Sequence, residues 1–138
     1  MKKKKILIMG LPGSGKTTLS EKLAPLLDAV RVNADNARKD HNDWDFSIEG
    51  RLRQASRMKN ISDQVVIKDN KNAVVDFVCP TRNTRKTFDA DYIIWMNTIE
   101  KGRFEDTNQL FENPRSDEIN FEVKEKDSEK YKYLILKS

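Results

Sequence analysis

Apolar residues run along this chain in short blocks, and two kinds of block alternate. Ile6–Met9 is a continuous apolar run that stops at Gly10, the pattern of a strand buried on both faces of a parallel sheet. Leu19, Leu23, Leu26 and Leu27 then recur at helical spacing and predict a helix within 15–27. Val30–Val32 predicts a second short strand. The longest predicted helix covers 47–67, with Ile48, Leu52, Ala55, Met58, Ile61 and Val65 on one side. Ser47 suits its N-cap and Glu49 its first turn. Ala73–Val78, stopped by Pro80, predicts a third strand, Tyr92–Met96 a fourth and Ile119–Val123 a fifth. Asp127–Leu136 fits two patterns: Tyr131, Leu134 and Ile135 suit a helix, whereas Tyr131, Tyr133 and Ile135 suit a strand, and the helix is preferred. Alternating strands and helices predict one α/β domain over 1–138, a parallel sheet of about five strands flanked by helices. Ligands of such folds sit beyond the carboxyl ends of the strands. Residues 97–118 carry charges, Asn and Thr without clear periodicity and predict a mobile segment.

Composition narrows this picture only slightly. At 138 residues, one core is expected, large enough to need no disulfide or metal staple. Charged residues reach 35%, but the periodic apolar blocks argue against disorder. No stretch approaches the roughly 20 apolar residues of a membrane span. The net charge of +4 resides in Lys2–Lys5, a basic N-terminal extension without which the chain is formally neutral. A solvated start to the first strand explains that cluster better than a nucleic-acid surface. Lys2–Lys5 followed by Ile6–Met9 faintly imitates a signal peptide, but the apolar run is too short. The single Cys79 excludes an intramolecular disulfide and suits a reducing, cytoplasmic setting.

The chemistry begins after the first strand. Gly10-Leu11-Pro12-Gly13-Ser14-Gly15-Lys16-Thr17 fits G-x-x-x-x-G-K-[ST] at every fixed position. The glycines let backbone approach an anion, and successive N–H groups form a nest at the start of the next helix. Lys16 is placed to reach the β- and γ-phosphates of ATP, and the Thr17 hydroxyl to hold Mg²⁺. Ser14 adds a donor inside the loop and Thr18 borders it. A strand before and a helix after make this a P-loop NTPase-type sheet.

A phosphate loop implies a nucleotide but no particular acceptor. Asp35 falls just past the second strand, where it could orient or deprotonate an acceptor hydroxyl, hold Mg²⁺ through water, or cap a helix over 36–39. Arg38 and Arg51 could clamp an anionic second substrate. Phe46 could stack on a base or pack in the core.

The ordered set of motifs resembles the adenylylsulfate (APS) kinases. Residues 10–19 match that family's Gly-Leu-Pro-Gly-Ser-Gly-Lys-Thr-Thr-Leu loop. Asn33-Ala34-Asp35-Asn36-Ala37-Arg38 is similar to its Asp-Gly-Asp-Asn-x-Arg segment, and Asp45-Phe46-Ser47…Gly50-Arg51…Gln54…Arg57 to its Gly-Phe-Ser…Asp-Arg…Asn…Arg stretch. Val78-Cys79-Pro80-Thr81-Arg82 resembles Ile-Ser-Pro…Arg, and Lys101-Gly102-Arg103-Phe104 resembles Lys-Gly-Leu-Tyr. The resemblance spans about residues 5 to 114. It implies transfer of the ATP γ-phosphoryl group, with Mg²⁺, to the ribose 3′-hydroxyl of adenosine 5′-phosphosulfate. It further implies that Asp35 orients that hydroxyl, that Arg38, Arg51 and Gln54 hold phosphosulfate and ribose, that Phe46 flanks the adenine, and that Lys101 lines the same pocket. A homodimer is expected on the same ground alone.

The chain departs from that pattern at telling places. Asn33 and Ala34 replace Asp and Gly, Gln54 replaces Asn, and Cys79 replaces Ser. Asp76 stands where the family has a small uncharged residue, either as a second Mg²⁺-associated group or as a structural hydrogen-bonding group. The lid-like segment 97–118 is shortened and lacks the family's Arg-Asp pair; among Arg82, Arg85 and Arg103, Arg82 is the first candidate to replace that arginine at ATP. A shortened lid predicts a slow enzyme, help from another subunit, or a different acceptor. The rival readings are a P-loop kinase acting on a nucleic-acid 5′ end or a nucleoside, and a nucleotide-binding module with little turnover. His41 reads as a loop residue, and Trp44 and Trp95 as packing residues.

Overall fold

A computed structural model describes residues 2–138. Its strands are β1 (Lys5–Met9), β2 (Ala29–Asn33), β3 (Asn72–Asp76), β4 (Tyr92–Met96) and β5 (Phe121–Val123). Its helices are α1 (Lys16–Leu26), α2 (Ala34–His41), α3 (Ile48–Asp63), α4 (Arg82–Phe88), α5 (Glu105–Leu110) and α6 (Ser128–Lys137). A π-helical turn over Gln64–Lys68 extends α3, and a 3₁₀ turn at Ser116–Glu118 precedes β5.

All strand pairs are parallel, in the order β2-β3-β1-β4-β5. The most apolar strand, β1, is buried along its whole length at the centre. Alternation along the strands sends Leu7, Met9, Val75 and Phe77 to one face, where Ala55 and Met58 of α3 and Phe88 of α4 cover them. Ile6, Ile8, Val74 and Ile94 take the other face, under Leu19 and Leu23 of α1 and Tyr131 and Ile135 of α6. The expected parallel sheet with helices on both faces is therefore present.

Local chemistry accounts for the boundaries. Ser47 accepts a hydrogen bond from the Gly50 N–H and caps α3, as its sequence predicts. The preferred helix at the C-terminus is the one formed, capped by Asp127 and burying Tyr131 and Ile135 on one face. The cap of α2 is Asn33, whose side chain accepts from the Asn36 N–H, so Asp35 stands in the first turn and is not the cap. Helix α4 was hidden because only Phe88 of its residues is apolar. A reciprocal Thr81–Thr84 capping box starts it. Segment 97–118 is more regular than its composition suggests, since it contains α5 and the 3₁₀ turn. Of the two tryptophans, Trp95 packs against the core, but Trp44 is 51% exposed and is not a packing residue. His41 ends α2 rather than lying in a loop, its Nδ1 within 3.0 Å of the Ala37 carbonyl oxygen.

Candidate active site

The carboxyl ends of β1, β2 and β3 bring three sequence segments to one edge of the sheet. From β1 the chain enters the loop Gly10–Gly15. A Cβ on Gly10 would meet Ser14 Oγ at 2.8 Å and the Met96 carbonyl oxygen at 2.9 Å, so only glycine fits there. Gly15 adopts φ 100° and opens directly into α1. Thr98 ties the loop to the segment after β4 by donating to the Ser14 carbonyl at 2.6 Å. Leu11 is buried, Pro12 half-buried and Gly13 exposed. The Ser14 hydroxyl is buried inside the loop without a hydrogen-bond partner among the described residues.

Lys16 spans this loop and donates from Nζ to the Leu11 carbonyl at 3.0 Å. Burial pushes its amine down to about 8, while the carboxylates of Asp76 and Asp35 partly oppose that shift. A half-buried ammonium beside backbone N–H donors is a site for a polyanion. Thr17 lies one step further on, with its hydroxyl donating to Asp76 Oδ2 at 3.0 Å. Asp76 itself is 3% exposed at the end of β3. Its Oδ2 also accepts from Asn33 Nδ2 at 2.6 Å and Arg31 Nη2 at 3.4 Å. Its Oδ1 is buried and has no partner among the described residues. A buried carboxylate oxygen without a donor, next to a threonine hydroxyl, fits a hard cation such as Mg²⁺ held jointly with phosphate oxygens. No cluster of three or more His, Cys, Asp or Glu exists among the described residues to hold a metal by protein groups alone.

From β2 the chain enters α2, which carries Asp35 and Arg38. Asp35 is exposed and accepts no hydrogen bond among the described residues, yet its charge is felt by both Lys16 and Arg38. Arg38 is buried, donates to the Asp43 and Asp45 carbonyls at 3.1 and 3.2 Å, and stacks on Phe46 at 4.3 Å. Arg51 lies 5.4 Å from the same ring and donates to the Phe46 carbonyl at 2.8 Å. Burial lowers both guanidiniums from their usual value, Arg51 and Arg57 adding to the effect on Arg38; both remain cations. The structure thus brings Arg38, Phe46 and Arg51 together, with Asp35 close enough for its charge to act on Arg38.

Other expected residues have different surroundings. Gln54 is buried, donates to the Ala34 carbonyl at 2.9 Å and accepts from Arg57 Nη1 at 2.6 Å, so its amide joins α3 to α2. Arg82 is exposed and pairs with Glu112 at 2.8 Å and Glu118 at 3.0 Å. Lys101 is exposed, and the following Gly102 lies so close to the loop that a Cβ would meet the Pro12 carbonyl oxygen at 2.9 Å. Segment 97–118 is tied to α3 by Arg51, whose Nη2 lies 3.2 Å from Thr107 Oγ1 and 3.5 Å from Asp106 Oδ2.

Two parts of the site were not foreseen. One is a recess of about 140 Å³ between α1 and the β5–α6 turn, lined by Gly15, Thr18, Met96, Lys126, Ser128 and Tyr131 among others. It adjoins the phosphate loop and is sized for part of a planar base. Only the position of Thr18 after Lys16-Thr17 could have signalled it. The other is the Arg31–Asn33–Asp76 contact, which the end-to-end alignment of neighbouring strands would have suggested.

The sequence profile of the AAA domain family matches residues 6–91. No curated protein matches the chain in sequence. Among solved structures, an APS kinase from Mycobacterium tuberculosis in complex with AMPPNP and APS superposes with a TM-score of 0.78 at 16% identity, over 99% of this chain and 96% of that one. An unliganded sugar kinase from Janibacter sp. superposes with a TM-score of 0.79 at 15% identity, over 98% and 93%. A shikimate kinase from Acinetobacter baumannii in complex with shikimate gives 0.63 at 17%, over 98% and 94%. These likenesses establish the fold of P-loop small-molecule kinases.

Proposed function

The chain belongs to the AAA domain family (AAA_33), and from that premise we propose that it is an ATP-dependent small-molecule kinase whose acceptor is the ribose 3′-hydroxyl of APS. The observation that carries this reading is Asp35: an exposed carboxylate, free of the cap of α2, within electrostatic reach of Lys16 on one side and Arg38 on the other. In this reading the Asp35 carboxylate orients the acceptor hydroxyl and takes its proton as the oxygen attacks the γ-phosphorus. The bond from that phosphorus to the β–γ bridging oxygen breaks and ADP leaves. Lys16 and the loop N–H groups balance charge on the phosphates. Thr17 and Asp76 would hold Mg²⁺, which supplies further neutralisation of the phosphate oxygens. Arg38 and Arg51 bind the anionic end of the acceptor, and the free face of Phe46 takes its base. Lys101 closes over the loop from the lid-like segment. The recess beside Thr18 and Tyr131 receives the adenine of ATP.

Support comes from the joint presence of a phosphate loop, a free carboxylate and two cations beside Phe46, and from the APS kinase likeness of the fold and motifs. Asn33, Ala34 and the short lid keep a second acceptor class in view, a nucleoside or a nucleic-acid 5′-hydroxyl. A coupled ADP-release assay with APS, nucleosides and a 5′-hydroxyl oligonucleotide discriminates these. Turnover with APS is expected. Turnover only with another hydroxyl reassigns the acceptor, and ATP binding without any turnover makes the chain a nucleotide-binding module. Asp35→Ala should lower transfer by at least about 100-fold with ATP affinity nearly unchanged. A large loss of ATP affinity would place Asp35 at the cation instead.

A further inference from the structure

One side chain touches both halves of this site. The Asn33 amide is bonded at each end: Oδ1 accepts from the Asn36 N–H at 2.9 Å, and Nδ2 donates to Asp76 Oδ2 at 2.6 Å. The first bond starts α2, which carries Asp35 and Arg38. The second reaches the carboxylate that also accepts from Thr17, the first threonine after the loop lysine. Because Oδ1 needs a donor and Nδ2 an acceptor, the two bonds fix the amide in one orientation. Parallel register places Asn33 directly opposite Asp76 in the sheet, so the contact is set by the backbone.

We propose that Asn33 is a positioning residue that fixes Asp76 with Oδ2 occupied and Oδ1 free, and so ties the cation-binding end of the site to the acceptor end. Three donors converge on Oδ2 of Asp76, from Thr17, Arg31 and Asn33, and Asn33 makes the shortest bond. Arg31 is itself held by Ser20 Oγ at 2.8 Å, and Ser20 donates to the Thr17 carbonyl at 2.8 Å, so its guanidinium compensates the buried charge from a fixed place. With Oδ2 saturated, the carboxylate can turn only by giving up these bonds. Oδ1 therefore stays the oxygen left to coordinate. Asp at position 33 would cap α2 equally well, but it would set two carboxylates against each other at the distance now bridged by the amide. An amide at this position is thus required by Asp76, not by the helix.

The inference rests on reading Thr17 and Asp76 as the cation pair, and it is independent of which acceptor is phosphorylated. Its test is a double-mutant cycle read by Mn²⁺ affinity in the presence of ADP, measured by electron paramagnetic resonance on Asn33→Ser, Asp76→Asn and the combination. Serine keeps the cap of α2 but is too short to reach Asp76. Asn33→Ser is expected to weaken Mn²⁺ binding about 10-fold, with the melting temperature close to that of the parent. In the Asp76→Asn background the same substitution should change Mn²⁺ affinity by less than about 2-fold, because the group it acts through has lost its charge. Equal losses in both backgrounds, or no loss from Asn33→Ser alone, overturn the proposal. Unchanged Mn²⁺ affinity in Asp76→Asn overturns it too, by removing the cation pair, and that result is separable because it shows in the single variant. A chain that binds MnADP normally but turns over no acceptor would fail the kinase reading and leave this cycle fully measurable.

Discussion

Lys16 shows how a functional residue works against the stability of its own fold. Its side chain is half-buried against the loop, and desolvation pushes the amine down to about 8 despite the neighbouring Asp76 and Asp35. The folded protein therefore holds this proton more weakly than the unfolded chain, whose lysine titrates near 10.4. The cost is present in full below about pH 8, and it is relieved as pH rises from there toward the unfolded value. Lys16→Met should accordingly raise the melting temperature at pH 7, with a smaller gain at pH 10; no gain at pH 7 would refute this account. A triphosphate reverses the balance, because it binds the ammonium and not the amine. Affinity for ATP should fall as pH rises above about 8, by up to about tenfold per pH unit, with proton uptake on binding. Titration calorimetry in buffers of different ionisation enthalpy measures both. Lys16→Arg, which stays charged throughout, should flatten the pH dependence. The motif made the identity of Lys16 legible in the sequence, whereas the burial that sets its amine required the fold.

Between α2 and α3 a short turn is held in one shape beside Phe46, where the proposed function places the acceptor. Asp43 is its hub: it accepts from Arg53 at 2.8 and 3.0 Å and from Arg57 at 2.7 Å, and these arginines hold its carboxyl well below the usual carboxylate range. Arg38 grips the backbone of the same turn through the Asp43 and Asp45 carbonyls. Gly50 makes the geometry possible, because a Cβ there would run into the Asp45 carbonyl oxygen and lie 2.5 Å from Asp45 Cγ. Gly50→Ala must therefore push the turn away from α3, at a cost of about 1–3 kcal/mol. The expected result is a lower melting temperature and an acceptor KM raised several-fold, with ATP affinity unchanged, since the phosphate loop lies on other elements. A variant with parental stability and acceptor KM would show that the turn does not shape the acceptor site. The sequence marks Ser47 as the cap of α3 but shows none of this turn, because its hydrogen bonds join residues whose partners depend on how α2 meets α3. Helix α4 escaped for a different reason: capping by Thr81 and Thr84 defines it, and its apolar content does not.

Across the whole molecule, one geometric fact links the first loop to the last helix. The strand order β2-β3-β1-β4-β5 sets β1 beside β4 and β4 beside β5, so the turn after β5 returns to the start of α1. Strand and helix alternation made this parallel architecture legible, because central strands read as unbroken apolar runs. The recess was not legible, since Lys126, Ser128 and Tyr131 form no motif and converge on Thr18 only through tertiary packing. If ATP or ADP occupies both the loop and that recess, nucleotide must stabilise two segments far apart in sequence. At about 100 times Kd a ligand adds about 2.7 kcal/mol to the stability of the state that binds it. Hydrogen exchange with saturating ADP should therefore slow at 10–18 and, together with it, at 124–138. Inorganic triphosphate, which has no base, should protect 10–18 alone. Protection confined to the loop with both ligands would remove the recess from the nucleotide site. Protection at 124–138 by triphosphate as well would mean that phosphate alone orders the end of the chain. The expected contrast between the two ligands assigns the base to the space beside Tyr131, and makes α6 part of the nucleotide site as well as of the core it helps to bury.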